Sequence, residues 1–150
     1  MMIATTISTL FGVGYVRLAP GTVASAIALP FAWLISWKLG VTVLCIASLA
    51  LYAIGVWSCG VHAAQTGGHD PSECVIDEVA GQWFACAVAP LSLPAFAIAF
   101  VLFRFFDITK LWPVSLGERL PGGLGIMTDD MIAGALSAVI IAGLRLQGLI

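Results

Sequence analysis

Four apolar runs separated by short polar clusters organise the chain: residues 22–37, 41–61, 79–103 and 131–146. A helix that crosses about 30 Å of hydrocarbon needs roughly 20 residues. The second run meets that length, and the first and fourth must recruit their flanks. None alternates apolar and polar positions as a barrel strand does, and open strands are excluded from lipid because their backbone groups find no partner there. The pattern predicts an all-α integral membrane helical bundle, with residues 1–150 as a single membrane-embedded domain.

The third run is different. Pro90 and Pro94 interrupt its middle, and proline removes a backbone donor and clashes with the preceding turn. One reading is a single kinked span that puts the Asp77 and Asp107 regions on opposite faces. The other is a re-entrant hairpin: a helix ends near Ala89, turns at Pro90 and Pro94, and returns as a second helix to about Phe106. The hairpin is favoured because it brings all the carboxylates to one surface.

Composition agrees with lipid as the solvent. Of 150 residues, 61% are hydrophobic and 9% charged, against roughly 45–50% and about 25% in soluble domains. A net charge of −2 supplies no basic face for phosphate backbones, which excludes a nucleic-acid partner. Cys45, Cys59, Cys74 and Cys86 show no metal-finger spacing, and no disulfide is expected from them. The first 11 residues lack the basic start and cleavage site of a signal peptide, so the membrane segments are expected to stay. In the hairpin reading Arg17, Arg104, Lys110 and Arg119 share one face while Lys38 and Arg145 lie opposite, which places the polar face in the cytoplasm by the positive-inside rule.

All eight acidic residues fall between Asp70 and Asp130, and five of them, Asp77, Glu78, Asp107, Asp129 and Asp130, sit at or near the edges of apolar runs. Ionisable groups at membrane depth are costly and are tolerated mainly where they act. Five carboxylates among so few cations point to a metal site, and an all-oxygen ligand set points to Mg²⁺ rather than zinc.

Each motif also has a plainer reading. Gly12-Val13-Gly14 followed by Pro20-Gly21-Thr22 can turn backbone N–H groups toward an anion, with Thr22 as helix N-cap, or can be a simple glycine turn. Asp70, Pro71 and Glu73 read as N-cap, N1 and N3 of a helix, which would put Asp77 and Glu78 two turns inside it. Gly81, one turn past Asp77, leaves room for a neighbouring helix or a ligand. Arg104, Asp107 and Lys110 form one helical stripe: either an ion-pair ladder, or a ligand carboxylate flanked by two phosphate-binding cations. Thr128 can cap the last helix, leaving Gly122, Gly123 and Gly125 in a loop that approaches a ligand. His62 and His69 show no ligand spacing and read as bystanders.

In order along the chain, the motifs are Gly12-Val13-Gly14-Tyr15 with Ala19-Pro20-Gly21-Thr22-Val23-Ala24-Ser25, then Asp70-Pro71-Ser72-Glu73-Cys74-Val75-Ile76-Asp77-Glu78 with Gly81-Gln82-Trp83. Phe103-Arg104-Phe105-Phe106-Asp107 follows with Lys110 and Trp112-Pro113, then Gly122-Gly123-Leu124-Gly125 with Asp129-Asp130 and Ala133-Gly134. In these the chain resembles the phosphatidylglycerophosphatase A family of Mg²⁺-dependent lipid phosphatases. It departs from that family's usual pattern near Arg17, at Ala24 and at Leu111, which bears on loop geometry more than chemistry. The resemblance implies hydrolysis of a phospholipid, phosphatidylglycerophosphate, to phosphatidylglycerol and phosphate, at the cytoplasmic face of a bacterial inner membrane.

In that reading Asp77, Glu78, Asp107, Asp129 and Asp130 hold one or two Mg²⁺ ions. Arg104, Lys110, Gly21 and Thr22 bind the substrate phosphate, and Asp77, Glu78, Arg104, Asp107 and Asp130 form the catalytic set. The attacking group is water with an aspartate as base, or an aspartate itself. The rival classes are a small membrane cation transporter or channel using the same carboxylates, and an assembly subunit whose charges merely pair.

Overall fold

The computed structural model describes residues 2–68 and 70–150. Its six α-helices are α1 (Met2–Ser8), α2 (Pro20–Leu39), α3 (Val41–Thr66), α4 (Ile76–Cys86), α5 (Leu93–Thr109) and α6 (Gly122–Leu146), with 3₁₀ turns at Val13–Tyr15 and Val114–Arg119. No strand occurs among the described residues. Helices α2, α3 and α6 are long and apolar enough to cross a membrane, and large side chains such as Ile46, Trp57 and Val139 stand exposed on them. The protein is an all-helical membrane bundle.

The third run is two helices. Helix α4 stops at Cys86, and Ser92 starts α5 by accepting a hydrogen bond from the Ala95 N–H at 3.3 Å. Pro94 lies inside the first turn of α5, where its missing N–H has no helical partner to lose. The start of α4 and the end of α5 line the same cavity.

Three expected helix starts are corrected. Asp70, Pro71 and Glu73 do not begin a helix: α4 starts at Ile76, so Asp77 and Glu78 occupy its first turn. Ala19, not Thr22, precedes α2, and Thr22 lies within the helix. Helix α6 starts at Gly122, so Thr128 is no cap; its hydroxyl instead meets the Tyr52 hydroxyl at 2.9 Å. Gly123 and Gly125 serve close packing rather than a ligand loop, and Gly122 takes the positive φ of 58° at the helix start. A methyl at Gly123 would strike the Val56 carbonyl on α3, and one at Gly125 the Leu120 carbonyl.

Helix α4 is at the centre, packed by α2, α3, α5 and α6, with eight of its eleven residues buried. Its close approach to α6 comes from small residues. A methyl at Gly81 would meet the Asp130 carbonyl, and one at Gly134 the Gly81 carbonyl. Such contacts are how helices associate where lipid removes the hydrophobic drive between them. The Ser48 hydroxyl adds an interhelical bond to the Ala80 carbonyl at 2.7 Å. Gly81 therefore admits a neighbouring helix.

Candidate active site

One cavity of about 320 Å³ collects Gly21 from the start of α2, Asp77 and Glu78 from the start of α4, Arg104 and Asp107 from the end of α5, Lys110 just beyond it, and Asp130 from α6. The start of α2, the start of α4, the end of α5 and the third turn of α6 thus meet at this cavity. Thr22 is half-buried and does not line this cavity, whereas Gly21 does.

The five carboxylates divide into two groups. Asp77, Glu78 and Asp130 each offer an oxygen, all within 4.8 Å of one another. Asp107 and Asp129 instead meet the cations. Arg104 Nη1 lies 2.5 Å from Asp107 Oδ2, Lys110 Nζ lies 3.5 Å from Asp107 Oδ1, and Lys110 pairs directly with Asp129. The Lys110 ammonium also lies 4.0 Å from Asp130 and 3.9 Å from Glu118. Lys110 reaches inward because it ends α5 in the left-handed conformation, φ 48°, with its N–H on the Phe106 carbonyl.

The donor chemistry fits a hard cation. Glu78 Oε2 and Asp130 Oδ2 are buried without a hydrogen-bond partner. Were all five carboxylates ionised, the two cations would leave three negative charges unneutralised, an arrangement that is costly in a low-dielectric site. In α4, which is not one of the spans, burial pushes the Glu78 carboxyl up to about 8. Burial, together with the neighbouring Glu78 charge, raises Asp77 well above the carboxylate range. Burial alone would lower the Lys110 ammonium, but Asp130, Asp129 and Asp107 outweigh it and hold the group charged. A divalent ion among Asp77, Glu78 and Asp130 would relieve this repulsion with oxygen ligands of the kind Mg²⁺ prefers.

Further residues complete the surroundings. The Ser25 hydroxyl donates to the Gly21 carbonyl at 2.8 Å, and Arg104 Nη1 donates to Ser25 Oγ at 3.5 Å. Ser25 lies four residues after Gly21, so helical periodicity alone puts both on one face. Gly117 packs against the Asp129 backbone, and its neighbour Glu118 flanks Lys110. These two come from the 3₁₀ turn at Val114–Arg119, a short element that no apolar periodicity announces. His62 stands apart from the cavity: its ring lies 3.2 Å from the Thr5 hydroxyl and 3.4 Å from the Glu73 carboxylate. His69 lies outside the described residues.

Comparison with known proteins gives the family. The profile of the family described as Phosphatidylglycerophosphatase A matches residues 6–145. Phosphatidylglycerophosphatase A of Escherichia coli (strain K12) is 37% identical over 136 residues, covering 87% of this chain and 77% of the relative. The protein of the same name from Haemophilus influenzae is 34% identical over 137 residues, covering 90% and 84%. A putative phosphatidylinositol-3-phosphatase of Bacteroides thetaiotaomicron is 35% identical over 147 residues, covering 93% and 91%. No solved structure matches. With its matched region running from α1 to the end of α6 and the acidic cavity inside it, the chain belongs to the phosphatidylglycerophosphatase A family.

Proposed function

We propose that this protein is a Mg²⁺-dependent lipid phosphatase that hydrolyses the terminal phosphomonoester of phosphatidylglycerophosphate, releasing phosphatidylglycerol and inorganic phosphate. The observation that carries the reading is the cluster of Asp77, Glu78 and Asp130, with two orphaned carboxylate oxygens, beside the cations Arg104 and Lys110. The names of the matched relatives all point to phosphatases, and all to phosphorylated phosphatidyl lipids.

In this reading Asp77, Glu78 and Asp130 hold the cation. Bound Mg²⁺ would neutralise charge on the phosphate oxygens and lower the pKa of water. Arg104 offers its guanidinium fork to the phosphate, and Lys110 adds a point charge. Asp107 and Asp129 keep those two side chains aimed by pairing with them. Phosphoryl transfer asks mainly for such positioning and charge stabilisation. Water attacks phosphorus and gives its proton to a cavity carboxylate. The bond from phosphorus to the lipid oxygen breaks, and that oxygen leaves as a hydroxyl once protonated.

The site's placement suits a headgroup. Helix α4, at eleven residues, is about 16 Å long and too short to cross roughly 30 Å of hydrocarbon. We therefore read α4 and α5 as a re-entrant hairpin that keeps the cavity at the membrane surface. Arg17, Arg104, Lys110 and Arg119 lie toward the cavity end, and Lys38 and Arg145 end α2 and α6 at the other, which supports a cytoplasmic site in a bacterial inner membrane. A cation path would want carboxylates along a span, whereas these collect at one end.

The deciding experiment is phosphate release by the purified chain from phosphatidylglycerophosphate with and without Mg²⁺, with lysophospholipid and phosphatidate substrates alongside. Cation flux in liposomes without phosphate release would replace the reading with a transporter.

A further inference from the structure

A second hollow, of about 370 Å³, is built on the same two helices, α2 and α4, as the acidic cavity. It is lined by Leu10 and Phe11, by Ile27, Ala28 and Phe31 of α2, and by Val79 and Trp83 of α4, among others, with almost no polar surface. The two spaces are lined by neighbouring positions of those helices. Val79 follows Glu78 directly, and Gly21, Ser25 and Ala28 form one stripe along α2, spaced four and three residues apart. Ten residues separate Gly21 from Phe31, about 15 Å along a helix. That is close to half of the roughly 30 Å hydrocarbon layer, the depth one acyl chain of one leaflet occupies. The Trp83 indole N–H donates to the Ala28 carbonyl at 2.9 Å and holds α4 and α2 together at the floor.

The other wall is built under strain. Leu10 and Phe11 adopt φ 49° and 55°, followed by Gly12 at 98°. Bulky residues rarely enter this left-handed region, and they persist there only when surrounding contacts hold them. The Phe11 N–H bonds the Thr6 carbonyl at 2.8 Å and the Gly14 N–H the Thr9 carbonyl at 2.9 Å, so the turn is held in a shape that sets both side chains at the groove. The larger apolar hollow on the opposite side of α2, lined by Leu29, Trp33, Leu93 and Phe96, cannot serve the same headgroup so directly. None of its lining residues is next in the chain to one that lines the acidic cavity, whereas Val79 follows Glu78.

We propose that the groove between the residue 10–13 turn, α2 and α4 binds one acyl chain of the lipid whose phosphomonoester enters the acidic cavity. This rests on the phosphatase reading above and deepens it: the enzyme measures its substrate by a chain as well as by a phosphate. Ile27→Trp fills the groove from its partly exposed rim, and Ile46→Trp places the same ring on exposed α3, away from it.

The test compares dioleoyl and dihexanoyl phosphatidylglycerophosphate in mixed micelles. Ile27→Trp lowers kcat/KM for the dioleoyl lipid by about tenfold or more and leaves the dihexanoyl value within about twofold; Ile46→Trp changes neither. Equal losses on both lipids, or none on either, overturn the groove. A second measurement covers a variant that fails to fold. Wild-type protein is photolabelled with phosphatidylglycerophosphate carrying a diazirine in one acyl chain, beside a phosphatidylcholine probe with the same chain. Labelling at Leu10, Phe11 and Phe31 is stronger with the phosphomonoester lipid; equal labelling by both means ordinary annular lipid and sinks the proposal. If the wild type releases phosphate from no lipid, the phosphatase reading falls by itself, and the labelling still decides the groove.

Discussion

Gly21 and Glu78 touch so closely that a single methyl group on Gly21 would overlap the Glu78 carboxylate. The contact joins the start of α2 to the start of α4, and the same methyl would crowd Arg104 Nη1. A glycine is thus required here by approach rather than by backbone angle.

Gly21→Ala separates activity from folding. Alanine favours a helix over glycine by about 1 kcal/mol, so α2 itself does not weaken. Displacing Glu78 by a fraction of an ångström to one ångström is expected to lower phosphate release by about 10²-fold. Circular dichroism should show unchanged helix content. Full activity would mean that Glu78 can move without cost.

Asp130→Asn and Asp107→Asn should both sharply lower Mg²⁺-dependent turnover, by different routes. Asp130 belongs to the three-carboxylate cluster, so its loss is expected to weaken Mg²⁺ binding measured by calorimetry. Asp107 anchors Arg104, so its loss should leave more of the Mg²⁺ affinity and raise KM for the lipid. Arg104→Lys cannot copy the guanidinium fork and is expected to cost about 10²-fold in kcat/KM. Wild-type kinetics in any of the three would remove that residue from the site.

The pH dependence follows from Glu78. Its carboxyl, pushed up from 4.5 to about 8 by burial, binds a proton more tightly folded than unfolded. The stabilisation this proton gives is complete below 4.5 and is lost as pH rises through about 8. Asp77 is shifted in the same direction. The metal-free protein should therefore melt at a lower temperature at about pH 9 than at about pH 6. Mg²⁺ competes with these protons, so its apparent affinity should climb over the same interval. Affinity independent of pH would show that the cation does not meet Glu78.

Topology can be read by cysteine labelling in a background without Cys45, Cys59, Cys74 and Cys86. Arg17→Cys and Arg119→Cys, both at exposed positions, should react with a membrane-impermeant reagent from one side. Lys38→Cys and Arg145→Cys should react from the other. Labelling of positions 17 and 119 from opposite sides would remove the shared surface on which the site depends.

The attacking group can be caught chemically. Rapid acid quench during turnover of ³²P-labelled lipid should yield free phosphate with no label on the protein. An acid-stable, hydroxylamine-sensitive phosphate on an aspartate would overturn attack by water.

Much of the architecture was legible in the pattern of residues alone. Runs of apolar residues too long for a soluble core require lipid around them, and lipid demands helices because the backbone must satisfy itself. Prolines 90 and 94 lie at the break between α4 and α5, the first between the two helices and the second in the opening turn of α5, where its missing N–H costs nothing; Pro30, inside α2, shows that a proline alone does not end a helix. Acids at the edges of such runs are expensive enough to single out Asp77, Glu78, Asp107, Asp129 and Asp130 without any coordinates. These are local or one-dimensional properties, and composition and spacing carry them.

Partnership among those acids was decided only in three dimensions. Asp107 and Asp129 look no different in sequence from Asp77 and Asp130, yet the first two meet Arg104 and Lys110 while the others cluster with Glu78. The glycines at 122, 123 and 125 read as a loop because glycine is a poor helix former, but all three belong to α6, where Gly123 packs against α3 and Gly125 against the turn before the helix. Thr22 and Gly21 are neighbours in the chain, and only Gly21 reaches the cavity. Which charges neutralise one another depends on which helix ends arrive at the same end of the bundle, and that is settled by contacts between segments far apart along the chain.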